Sequence, residues 1–191
     1  MDQSFVERRI RHSIEVKHRL LQDFSEQIFT IGQALIGCIA SGGKILFCGN
    51  GGSAADAQHL AAELVVKLGR ERRALPAVAL TTDSSILTAA ANDFSYDGVF
   101  ARQVQALGRA GDALIGISTS GNSENVRRAI VAAQEQGMVS VALLGKDGGA
   151  IRELASHSLV VPDSDTQRIQ ESHLLVGHIW MEMIDASLEQ E

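Results

Sequence analysis

Two rhythms of apolar residues alternate along this chain. Short apolar runs at residues 45–48, 77–80, 112–117, 139–144 and 158–161 read as strands buried on both faces. Between them the apolar positions recur at helical spacing, which predicts a helix from the glycines after residue 48 to about Leu68 and another through Leu87 and Ala91, capped by Asp83 or Ser84. Asn92-Asp93 reads as a turn ending that helix before the next begins near Ser95, and a further helix covers 124 to about 136. A glycine-rich turn at 145–149 then leads to a short helix containing Ile151 and Leu154. The last helix runs to the C-terminus with Ile169, Leu174, Ile179, Met183 and Ile184 on its apolar side.

Residues 2–41 carry no strand signal. Ile10, Ile14, Leu20, Leu21 and Phe24, then Ile28, Ile31, Leu35 and Ile39, recur at helical spacing until Gly42-Gly43 stops the pattern. Two helices therefore precede the first strand, and they read as an arm that packs on another subunit, the alternative being that they cover a sheet face within the monomer. Strands alternating with helices imply an α/β fold: a parallel sheet of about five strands in a three-layer sandwich, doubly wound in the flavodoxin manner. The expected organisation is one domain, with residues 1–42 as the helical arm and 43–191 as the core.

Composition narrows the partners. A formal net charge of -6 argues against nucleic acid and anionic membranes, and the arginines at 70, 72 and 73 read as a solvated loop. Cys38 and Cys48, one in a helical pattern and one ending a strand, make neither a disulfide framework nor a C-x-x-C site. The N-terminal stretch is charged throughout, without an apolar leader core, and no run approaches the ~20 apolar residues of a membrane span. A cytoplasmic protein is expected.

The chemistry concentrates in KILFCGNGGSAADAQHLAAELVVKL, residues 44–68. A strand passes through Gly49, Asn50, Gly51, Gly52 and Ser53 into a helix, and such a loop lets backbone amides and the positive helix end meet an anion. Gly49, Gly51 and Ala54 also satisfy a dinucleotide fingerprint, but that fingerprint wants an acidic residue about 20 positions further on, whereas the next strand ends much later, at Asp83, which disfavours that ligand. His59 and Glu63, spaced i, i+4, share one helix face and offer a nitrogen and an oxygen ligand beside the cradle. Residues 118–123, STSGNS, open the helix after the third strand with four hydroxyls, suited to a phosphate monoester. Both loops fall at the carboxyl ends of strands, where open α/β sheets bind ligands.

Together GNGGSAADAQHLAAEL, NDFSYDGVFARQV, GISTSGNSENV, GKDGG and RIQESHLLVGH resemble the phosphoheptose isomerases of the sugar isomerase (SIS) domain superfamily. The resemblance covers nearly the whole chain after about residue 40. It implies a homotetrameric cytoplasmic enzyme that converts sedoheptulose 7-phosphate into D-glycero-D-manno-heptose 7-phosphate, toward the heptose of lipopolysaccharide or other surface glycans. By the same resemblance His59, Glu63, Gln170 and His178 hold one zinc ion per subunit. Substrate contacts fall on Asn50, Gly51, Gly52, Glu63, Asn92, Asp93, Ser118, Thr119, Ser120, Ser123 and Gln170, with Glu63 and His178 as the acid/base pair. Lys67 stands where relatives often have arginine, and Arg73 near where they often have proline.

Residue chemistry agrees. Moving a carbonyl between C2 and C1 needs a carboxylate at carbon and a second group for the oxygen protons. A His/Glu/Gln/His donor set suits zinc as a Lewis acid across both oxygens. Spacing sets one condition, because Gln170 and His178 lie about 12 Å apart along a straight helix. His173, three residues after Gln170, is the nearer partner on spacing alone. Two other readings accompany the first: some SIS relatives are non-catalytic and associate with the replication initiator, and phosphate loops accept other phosphosugars. The presence of both Glu63 and His178 favours an isomerase.

Overall fold

The computed structural model describes residues 2–188. Two long helices, α1 (Gln3–Asp23) and α2 (Ser25–Ala40), lead into β1 (Ile45–Gly49) and α3 (Gly52–Val65). After β2 (Ala77–Ala79) come α4 (Ser84–Asp93), α5 (Val99–Leu107), β3 (Ala113–Ser118) and α6 (Glu124–Glu135). The chain ends with β4 (Val139–Gly145), β5 (His157–Val161) and α7 (Thr166–Ser187).

All strand pairs are parallel, in the order β2-β1-β3-β4-β5. This is the doubly wound arrangement expected from the alternating pattern. Side chains along each strand point to opposite faces in turn. Ile45, Phe47, Ile115 and Leu143 therefore enter one core with α2, α3 and α7, while Leu46, Cys48, Leu114 and Leu144 enter the other with α5 and α6. Both cores are closed by helices, which is why the strands read as continuous apolar runs.

The chain leaves β1 toward β2 on one side and returns to β3 on the other, so the switch point lies between β1 and β3. Gly49 pairs with Ile117 across that boundary, and the loops at 50–53 and 118–123 start side by side.

The N-terminal helices differ from each other. Ile28, Ile31, Leu35 and Ile39 of α2 are buried in the molecule's own core, and Trp180 of α7 donates its indole N–H to the Ile28 carbonyl at 2.9 Å. On α1 only Val16 and Leu20 are buried, whereas Phe5, Val6, Ile10, Ile14 and Leu21 face outward.

Four local expectations change. Asn92 and Asp93 are the last residues of α4 instead of a turn beyond it, because the Phe94 N–H still reaches the Ala90 carbonyl and holds the final turn. The fifth strand begins one residue earlier, at His157, which pairs with Val141. Near Ile151 there is only a single 3₁₀ turn, Gly149–Ile151, with Leu154 outside it. Nor is the arginine cluster simply solvated. Arg72 has a side chain only 6% exposed, pairs with Asp185 of α7 at 2.5 Å, and donates to the carbonyls of Glu63 and Leu64 at the end of α3. The Leu64 carbonyl also accepts from the Leu75 N–H. Carbonyls at a helix C-terminus attract such a cation.

Candidate active site

Each of the two loops opens onto a helix whose N-terminus is left uncapped. Gly51 occupies the N-cap position of α3 with φ +56, a conformation that favours glycine, and has no side chain to cap with. Ser123 occupies that position on α6, but its hydroxyl makes no cap bond and lies 2.9 Å from the Ser118 hydroxyl. By contrast Asp83 caps α4 and Asp165 caps α7 through their carboxylates. Part of each first turn is closed internally, Ser53 and Ala54 N–H on the Asn50 and Gly51 carbonyls and Val126 N–H on Asn125 Oδ1. The remaining first-turn amides, joined by the hydroxyls, form a receptor for a phosphate group.

Asn50 is fixed beside them by three hydrogen bonds. Its amide exchanges two with Asn125, at 2.9 and 2.8 Å, and its oxygen accepts a third from the Tyr96 hydroxyl at 3.1 Å. Thr119 is partly buried, and the Ser120 hydroxyl accepts from the Asn122 N–H at 3.2 Å. Asn92 and Asp93 are exposed and bonded to each other at 2.8 Å, without a side-chain bond to either loop.

Further along α3 three ligand groups converge. His59 Nε2 lies 3.1 Å from Glu63 Oε1 and 2.9 Å from Nε2 of His178, which comes from α7. One ligand atom from each lies within 4.8 Å of the others. Tetrahedral zinc with bonds of ~2.0–2.1 Å separates its ligand atoms by about 3.3 Å, so the spacings fit one divalent ion with little movement. The approach depends on Gly177, where a Cβ would fall 2.7 Å from Leu60 of α3; the missing side chain lets the two helices pack closely.

Gln170, about two turns before His178 on α7, faces the other end of α3. Its amide packs against the backbone of Gly52 at the start of α3, seven residues before His59 and so about 10 Å along the helix. His173 is elsewhere again. It is fully buried, its Nε2 is 2.9 Å from the Leu144 carbonyl, and burial pushes its pKa down to about 4. It ties α7 to β4 and cannot meet an ion held by His59.

Three neighbours of the site escaped the sequence reading. Asp56 precedes His59 by three residues, hence one helical turn, and a search for carboxylates on the His59 face would have found it. Burial raises its pKa while the charges of His59 and His178 lower it, and its buried Oδ2 has no hydrogen-bond partner. Tyr96 and Asn125 reach Asn50 only through the fold, so nothing in local spacing marks them.

Fold and site together define an SIS-domain protein, and the family pattern described as SIS domain matches residues 10–145. Similar proteins span almost the whole chain. The phosphoheptose isomerase of Clostridium acetobutylicum is 49% identical over 97% of this chain and 95% of its own, and that of Paramagnetospirillum magneticum is 56% identical over 81% and 80%. Among solved structures, the phosphoheptose isomerase of Neisseria gonorrhoeae is 48% identical with a TM-score of 0.90, covering 96% of this chain and 98% of its own. One from Francisella tularensis is 36% identical with a TM-score of 0.93, covering 97% and 100%. The chain belongs to the phosphoheptose isomerase family.

Proposed function

We propose that this protein interconverts sedoheptulose 7-phosphate and D-glycero-D-manno-heptose 7-phosphate, a step toward the heptose of surface glycans. Membership in the family supports an aldose-ketose isomerase, and the observation that carries the mechanism is the convergence of His59, Glu63 and His178 near two uncapped helix starts.

In this reading Ser118, Thr119, Ser120, Ser123 and the amides of α6 hold the phosphate, while Asn50, Gly51 and Gly52 line the sugar. Gln170, against Gly52, Asn92 and Asp93 complete the contacts. The reaction is redox-neutral: C1 loses a C–H proton, C2 gains one, and the carbonyl moves from C2 to C1. Glu63 takes the proton from C1 and returns it to C2. His178 takes the O1 proton and delivers one to O2, both at the ring nitrogen turned away from His59. His59, Glu63 and His178 offer the donors zinc prefers, and they would hold the ion together with Gln170. Bound there, it would supply Lewis acidity to the sugar oxygens. A carboxylate has two oxygens, so Glu63 can face an ion with one and the C–H with the other.

The same reading carries a cytoplasmic homotetramer. No helix among the described residues is long and apolar enough to cross a membrane. The test is an assay of the purified protein on sedoheptulose 7-phosphate against pentulose and hexulose phosphates, with and without added zinc. Preference for the heptulose by at least ten-fold in kcat/KM is expected; equal or better turnover of a shorter sugar overturns the substrate assignment.

A further inference from the structure

The GKDGG turn after β4 takes no part in the chemistry above, yet it contains a backbone outlier. Lys146 has φ +58, and no other non-glycine among the described residues has a positive φ. A Cβ crowds the backbone in that region, so such a residue persists only where the surroundings hold it. Here the Lys146 N–H is anchored on the Asp163 carbonyl at 3.0 Å.

The turn also backs the hydroxyl loop. The Ile151 N–H donates to the Gly121 carbonyl and the Ala150 N–H to Asn122 Oδ1, both at 3.0 Å, while a Cβ on Gly121 would strike the Gly148 carbonyl and one on Gly149 the Gly121 carbonyl. Lys146 lines a single open cavity of about 750 Å³ with Ser120, Asn122, Asp147 and Asp163.

Charge singles this lysine out. Its ammonium has no hydrogen bond or ion pair among the described residues, whereas neighbouring cations are engaged: Arg19 with Pro162 and Asp163, Arg127 and Arg128 with Glu124. The acids are engaged too. Asp163 is held by His12 and Arg19 and accepts from the Asp165 N–H, and Asp147 accepts from the Gly149 N–H. Residues 118–123 carry no cation of their own. A phosphate monoester bears about -1.5 to -2 charge at neutral pH, and a hydrogen bond from a cation holds it about twice as strongly as one from a neutral hydroxyl or amide.

We infer that Lys146 is the cation of the phosphate subsite, aimed by its left-handed backbone toward a phosphosugar held on Ser120. This rests on reading residues 118–123 as the phosphate loop. It makes Lys146 a binding residue for the phosphate end, remote from the proton transfers.

Lys146→Gly separates charge from backbone, because glycine adopts the same φ without strain. The expected result is a KM for sedoheptulose 7-phosphate and an inhibition constant for inorganic phosphate both raised ~10-fold, as for loss of a charged hydrogen-bond partner, with kcat and Tm retained. Lys146→Arg should recover most of the loss. Ser120→Ala, measured alongside, reports on the loop itself. If Ser120→Ala weakens phosphate binding while Lys146→Gly stays within two-fold, the inference about Lys146 fails and the loop assignment stands. If neither moves phosphate binding, both fail. A drop in kcat alone for Lys146→Gly also overturns the proposal, since that would mark a structural role.

Discussion

His59 and His178 lie 119 residues apart in sequence, yet their Nε2 atoms are 2.9 Å apart, with Glu63 closing the third corner. Two imidazoles facing each other nitrogen to nitrogen satisfy at most one proton between them, whereas an ion between them satisfies both lone pairs. His178→Ala should therefore lose bound zinc, read by elemental analysis, and activity with it, while its Tm in the absence of metal stays within a few degrees of the parent. His173→Ala should behave in the opposite way. It removes a fully buried ring and leaves the Leu144 carbonyl without its partner, which costs about 2–4 kcal/mol, but the folded fraction still binds metal.

Glu63→Gln keeps the shape of the side chain and removes the base. Folding and phosphosugar binding should persist while kcat falls ~10²- to 10⁴-fold. Activity within a few-fold of the parent would take Glu63 out of the catalytic role.

Acid should loosen the fold through His173 before it does so through the carboxylates. Its folded pKa of about 4 lies below the ordinary 6.5, so between those values the unfolded chain binds a proton that the folded chain refuses. The stabilisation is complete above pH 6.5 and is lost as pH falls toward 4, a change on the order of 3 kcal/mol. Denaturant titrations across that window should show this slope, and His173→Gln, which keeps a donor but does not titrate, should flatten it. An unchanged slope would assign the acid sensitivity elsewhere.

Arg72 and Asp185 pin the end of α3 to α7, with side chains only 6% and 11% exposed. Arg72→Ala strands the Asp185 carboxylate and the α3 carbonyls, and unfolding should become easier by about 3–5 kcal/mol. The double change Arg72→Met with Asp185→Leu should recover a large part of this. A double variant no more stable than Arg72→Ala would show that the carbonyl contacts carry the effect instead.

Phe5, Val6, Ile10, Ile14 and Leu21 leave an apolar face on α1 that the rest of the described chain does not cover. Light scattering should give about four chains per particle, and Ile10→Glu with Ile14→Glu should lower that mass without unfolding the α/β core. A parent that is monomeric and active would remove the tetramer.

The layers and the loops follow from the residue pattern alone. Apolar runs of strand length between helical repeats admit a parallel sheet covered on both faces, because each strand must bury both sets of side chains. Gly49, Gly51 and the hydroxyls at 118–123 mark the two loops that follow β1 and β3, and the i, i+4 spacing of His59 and Glu63 puts both side chains on one helix face. All of these are local, set by φ, ψ and helical pitch.

Tertiary structure decided which distant residues joined them. On spacing alone His173 was the nearer partner of Gln170, but α7 turns that face into the core against Leu144 and sends His178 toward α3 through the close contact at Gly177. Arg72 sits in a polar stretch of sequence, and only the fold sets Asp185 and the Glu63 and Leu64 carbonyls of α3 beside it. The strain at Lys146 and the Tyr96–Asn50–Asn125 network were equally invisible in the string. A helical face becomes interior or exterior only when another element packs on it, and that packing depends on contacts between residues far apart in sequence.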